Sequence, residues 1–98
     1  MPVEHKLKCQ WQYFDAIVAG DKMFEVRKDD RAFQKGDILE LTRTDSTGNT
    51  EYYPNPKNLH DIPRIRLEIT YVYNGGAGGL QPGYVVLGLM WLEATSNG

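Results

Sequence analysis

Residues 64–92 carry the pattern that most narrows what this chain can become. From 64 to 73, Ile65, Leu67, Ile69, Tyr71 and Tyr73 alternate with Arg66, Glu68, Thr70 and Val72, the two-residue period of a strand with one buried face. The glycine-rich stretch 74–83, NGGAGGLQPG, then leads into YVVLGLMWL at 84–92. That run is apolar at nearly every position, as in a strand covered on both faces. Two such strands in succession require a closed or strongly curled sheet, and Trp91 is expected in its core.

The remaining elements fit around this pair. Residues 1–8 alternate weakly, with Val3, His5 and Leu7 against Glu4, Lys6 and Lys8, which predicts a short first strand. Between 10 and 19, Tyr13, Phe14, Ile17 and Val18 fall three and four apart and build a narrow apolar stripe on a short helix, which Gly20 ends. Phe24 and Val26 alternate with Glu25 and Arg27, so a second strand is expected with the two apolar residues facing inward. Residues 29–36 are too polar for an element, and Gly36-Asp37 opens a further strand over 38–42.

The turn cluster at 44–50 and the stretch 52–63, with prolines at 54, 56 and 63, read together as one long excursion. Residues 95–98 read as a frayed tail. The order is β-α-β-β-β-β: a mainly β (α+β) domain over 1–98, with five short strands best closed into a small barrel and one helix between the first and second. At 98 residues there is room for one core and one site.

Charge limits the partners. Eleven Lys and Arg stand against 13 Asp and Glu, a net charge of −2, which argues against broad attraction to double-stranded DNA or anionic membrane. Any nucleic-acid affinity must come from a local pocket. Cys9 is alone, and neither His5 nor His60 stands at a metal-ligand spacing, so no metal and no cofactor is expected. Cys9 reads as a half-buried small residue, not a nucleophile. No signal-like start and no apolar run near twenty residues is present, so a soluble cytoplasmic protein is expected. The glycine stretch lacks a nucleotide fingerprint and a following helix, and reads as a hairpin connection instead of a phosphate cradle. Trp11 and Tyr52-Tyr53 are candidates to stack on bases, and Tyr84, at the mouth of the last strand, is the favoured aromatic wall.

Residues 20–37, GDKMFEVRKDDRAFQKGD, hold ten charged residues of balanced sign in eighteen positions. The ordinary fate of such alternation is a solvated face with cross-strand ion pairs. Lys22, however, has the opposite parity to Glu25 and Arg27. It points inward unless it sits on the helix–strand turn and opens into a cleft, and that spacing favours a site.

Gly20-x-Lys22-x-x-Glu25-x-Arg27 resembles GxKxxExR, the signature of ASCH domains in the PUA-like superfamily of small RNA-associated barrels. With HKLK, YF, GDK-FEVRK-DR-F-GD and GYVVLG, the chain is similar over most of its length to a compact bacterial and phage branch, departing from it in the longer stretch 52–63. The resemblance implies a pseudo-barrel whose motif residues face a single-stranded or modified nucleotide, or RNA, in a cleft beside the helix. Lys22 would contact a phosphate or carbonyl oxygen. Glu25 would accept from a base edge or position Lys22, Arg27 would neutralise or pair, and Lys28 and Arg31 would add backbone contacts.

A hydrolytic branch resembling this fold removes the acetyl group from acetylated cytidine, its motif lysine activating a threonine where Glu25 stands here. A carboxylate cannot take that acyl-transfer role. Glu25 would have to act as a base on water with Lys22 as stabiliser, so binding is expected over catalysis. A third expectation is a non-enzymatic accessory protein that binds a protein partner through residues 52–63.

Overall fold

The computed structural model describes residues 2–49, 64–76 and 78–92. The 52–63 excursion, with Tyr52, Tyr53 and His60, and the 95–98 tail lie outside the described residues. The elements are β1 (Glu4–Gln10), α1 (Trp11–Val18), β2 (Phe24–Lys28), β3 (Ile38–Thr44), β4 (Arg64–Asn74) and β5 (Tyr84–Trp91). They form the expected mainly β domain: five strands in one curled sheet, a half-barrel, with a single short helix between the first two strands.

The strand order is β1-β3-β4-β5-β2. β1 runs parallel to β3, and every other pairing is antiparallel. The two strands that flank the helix are therefore the two edges of the sheet, and a seam lies between them. The glycine-rich stretch is the hairpin loop joining β4 to β5. Gly75 cannot be replaced cheaply in it, because a Cβ there would run into the carbonyl oxygen of Gln81 and stand 2.7 Å from that of Tyr84.

The inner face of the sheet is apolar and closely filled. His5, Leu7 and Cys9 of β1, Leu39 and Leu41 of β3, Leu67 and Ile69 of β4, and Val85, Leu87 and Leu89 of β5 are all buried, and Phe14 and Ile17 of α1 close over them. Asp15, on the same helix, holds Arg43 of β3 with two bonds of 3.0 Å. Phe33 is also buried, in the polar loop between β2 and β3, with its ring edge-on to His5 at 4.8 Å.

Four expectations are corrected. The helix stripe is narrower, since Tyr13 and Val18 are about half exposed; eight residues offer only one face to the sheet. In β2 the parity is reversed. Glu25 is opposite Leu87 and Arg27 opposite Val85, so these charged residues share the inner face, and Phe24 and Val26 face out. In β4 a bulge at Thr70 puts two residues opposite Gly88 and reverses the alternation beyond it. Tyr71 and Tyr73 turn outward, and Val72 packs on the core in their place. Finally, β5 is covered on one face only: Met90 is exposed, and Trp91, at the strand end, is 41% exposed where a core residue was expected. Among the described residues no helix is long and apolar enough to cross a membrane.

Candidate functional site: a basic cleft in the seam

The end of the helix places the first site residue. Gly20 adopts φ +82°, its N–H donates to Ile17 and the N–H of Asp21 to Ala16, both at 2.9 Å. This is the paired closure of a left-handed glycine cap. The Lys22 N–H also donates to the Ala16 carbonyl, at 3.2 Å. The first glycine of the motif therefore fixes where the lysine leaves the helix, on the turn ahead of β2 and outside the strand's alternation.

From there three charged side chains converge. Glu25 is buried, and Lys22 Nζ donates to its Oε1 at 2.7 Å. Arg27 Nε donates to Oε2 at 2.9 Å, with Nη2 at 2.8 Å from the same oxygen. Lys22 Nζ also donates to the Phe24 carbonyl at 2.8 Å, and Arg27 Nη2 donates to the Lys8 carbonyl at 2.6 Å. The latter bond spans the seam and ties β2 to β1 by a side chain where the backbones do not pair. A carboxylate taken out of water requires this degree of compensation. Among the described residues, Nη1 of Arg27 has no protein partner.

The seam opens as a cleft of about 620 Å³, lined from β1 by Lys8, Cys9 and Gln10, from α1 by Tyr13, and from the turn and β2 by Lys22, Phe24, Glu25, Val26, Arg27 and Lys28. Four of these are Lys or Arg and one is acidic. A chain of net charge −2 thus has a locally positive hollow. Lys22 Nζ lies 4.9 Å from the Phe24 ring centroid and 5.3 Å from that of Tyr13, within range of both ring faces. Among the described residues the lining contains neither serine nor threonine, and each oxygen of Glu25 already accepts from a cation.

Lys22, Glu25, Arg27 and Lys28 are thus brought together. Arg31 is not: it lies in the exposed loop beyond β2, 3.9 Å from Asp30. Tyr84 does not wall the cleft: it is not among the lining residues, and β5 stands one strand further from the seam than β2. Trp11 also lies outside the lining, with Arg43 5.9 Å from its ring. Lys8, Gln10 and Tyr13 escaped the sequence reading because only the sheet order brings β1 beside β2. Among the described residues no group of three or more His, Cys, Asp or Glu is placed to hold a metal.

Burial, and next the charge of Glu25, push the Cys9 thiol up from the ordinary 9.0 to about 11. At pH 8 this leaves about one hundredth of the thiolate that an unperturbed cysteine would have. Alkylation of the folded protein by iodoacetamide at pH 8 is accordingly expected to run about 100-fold slower than in urea. Mass spectrometry of quenched time points checks it; equal rates would show Cys9 open to solvent.

The chain matches a family model, and no curated protein matches it. The matching family is described as a domain of unknown function, DUF3850, and aligns with residues 4–89. Those residues take in the helix, every described residue that lines the cleft and all of the described sheet except the last two residues of β5, so the chain belongs to the DUF3850 family.

Proposed function

We propose that the seam cleft binds RNA or a nucleotide-like ligand, recognising single-stranded or modified nucleotides through an anionic group and an adjacent ring. The observation that carries this reading is the sign of the cleft: four basic side chains and one carboxylate line it in a chain whose net charge is negative. Its volume lies within the roughly 300–1,000 Å³ of small-molecule sites. Lys22 and Arg27 would meet phosphate or carbonyl oxygens with their remaining donors, held in place by Glu25. Tyr13 and Phe24 offer apolar surface to a base. The resemblance of the motif to ASCH domains supports the same ligand class. Binding is favoured over hydrolysis because the described lining residues offer no serine or threonine nucleophile and Glu25 is occupied as a scaffold.

The test is fluorescence anisotropy with a labelled single-stranded RNA hexamer at low salt. Lys22→Ala is expected to weaken binding about tenfold and to lower the salt dependence by about one ion, as for loss of one phosphate contact. Arg27→Ala should weaken it at least as much, with circular dichroism showing the fold retained in both. Wild-type binding no tighter than that of an unrelated acidic protein overturns the reading.

A further inference from the structure

We propose that the outer face of β2, β5 and β4 carries a second, base-stacking subsite continuous with the cleft, so that the preferred ligand is a single-stranded polynucleotide and not a mononucleotide. This rests on the reading of the cleft as a nucleotide site.

The register lays out the surface. Phe24 of β2 and Tyr71 of β4 both stand opposite Gly88 of β5, which makes one transverse row with an aromatic at each end, a glycine in the middle and only the small Thr70 side chain of the bulge beside it. Strands are about 4.8 Å apart, so the two backbones that carry the rings are separated by roughly 10 Å. The next row is Val26, Val86 and Tyr73. Tyr71 is 63% exposed and Phe24 42%. A continuous β4 would have put Tyr71 in the core beside Leu67 and Ile69. The bulge at Thr70 turns it out, and bulges recur where a sheet re-aims a side chain at a site.

Gly88 keeps this row open. A Cβ there would stand 2.9 Å from Thr70 Oγ1 and 3.5 Å from Tyr71 Cβ, so the glycine is tied to the bulge, and a larger residue would crowd Thr70 and narrow the space between the rings.

The occupant follows from what borders the row. Phe24 belongs to both surfaces: it lines the cleft, and the Lys22 ammonium lies 4.9 Å from its ring. Lys28, at the other end of β2, also lines the cleft and pairs with Tyr84 on the outer face. Aromatic rings edged by cations match alternating bases and phosphates. A sheet face that carries aromatics on several of its strands is a surface on which splayed bases stack. A phosphate held by Lys22 and Arg27 would deliver its neighbouring base onto Phe24 and the following one toward Tyr71.

Tyr71 tests this without touching the cleft, since it is not among the cleft's lining residues. Adenosine 5′-monophosphate and an oligoadenylate hexamer are titrated at one ionic strength into wild type, Tyr71→Ala and Tyr71→Phe. Wild type is expected to bind the hexamer at least about tenfold tighter than the monophosphate, the scale of one stacked base. Tyr71→Ala should lose that factor for the hexamer, keep its monophosphate affinity and keep the salt dependence; Tyr71→Phe should behave as wild type. Equal affinity of wild type for the two ligands, or hexamer binding untouched by Tyr71→Ala, overturns the subsite and leaves the cleft reading standing. Failure of wild type to bind either ligand overturns both. If Tyr71→Ala leaves hexamer binding unchanged but dissociates a dimer in sedimentation, the face is a protein contact and the subsite is overturned.

Discussion

Glu25→Ala is expected to lower the free energy of unfolding by about 3 kcal/mol, the lower end of what a broken buried ion pair costs, whereas Lys22→Ala should cost only about 1 kcal/mol. The asymmetry comes from the geometry. Glu25 is 5% exposed, and its two oxygens are held by different cations. Removing Lys22 leaves the carboxylate still bonded to Arg27. Removing the carboxylate leaves an ammonium and a guanidinium side by side with no anion between them. Their side chains are 18% and 25% exposed, so they can turn partly to water, which holds the loss to the lower end of the range. Glu25→Gln should fall between the two: one amide oxygen can accept, but the amide NH₂ then faces the N–H groups of the other cation. Urea unfolding of the three variants checks the order. Glu25→Ala as stable as wild type would mean that the carboxylate stands in water and organises nothing.

The same triad shows what a linear reading reaches and where it stops. The motif spacing marked Lys22, Glu25 and Arg27, and Gly20 marked the end of the helix, because both are local: a left-handed glycine cap and a strand period act within a few residues. That β3 and β5 are strands was equally legible, the first from Gly36-Asp37 and the second from its apolar run, although β5 was expected to be covered on both faces and only alternate residues such as Val85 and Leu87 are buried. The facing of β2 was not legible. Alternation assigns the inside to the apolar residues Phe24 and Val26, but the inside at this edge is the seam, where two cations make Glu25 the better-compensated occupant.

Nor could local pattern foresee that β1 and β2, joined by one short helix, sit at opposite ends of the strand order. Sheet order is fixed by which faces bury best together, and Lys8 and Gln10 became cleft residues only through it. The bulge at Thr70 was hidden for another reason. No glycine or proline lies in β4 to announce it, and its one trace is Gly88 on the neighbouring strand. Phe33 was passed over in a polar loop, although a lone aromatic there is what anchors the loop to the core.

Asp37→Ala is expected to cost about 3 kcal/mol as well, and to flatten the acid limb of the stability curve. Asp37 closes the loop ahead of β3 and is 4% exposed. Its carboxylate accepts from His5 Nε2 at 2.9 Å, from the Gln34 N–H at 3.1 Å and from the Val3 N–H at 3.2 Å. An ionised carboxylate only accepts, so Nε2 carries the hydrogen of that contact. Alanine leaves three donors without their acceptor, about 1 kcal/mol each, the bond being buried at His5 and part-buried at Gln34 and Val3. Burial alone would raise the carboxyl, but the bonds from His5, Val3 and Gln34 outweigh it and hold Asp37 below its ordinary 3.8. A group lowered in the folded state binds its proton more readily when unfolded. Its contribution is therefore complete above the unfolded value of 3.8 and is lost as pH falls through the lower folded one. Unfolding free energies of wild type should thus decline below about pH 4, and the decline should be shallower in Asp37→Asn, which has no such proton to take up. Asp15 is lowered too, by its bond to Arg43, but its side chain is 49% exposed, and its share persists in both proteins. Urea melts from pH 2.5 to 7 on the pair separate the two carboxylates; parallel curves would show that Asp37 does not carry the acid sensitivity.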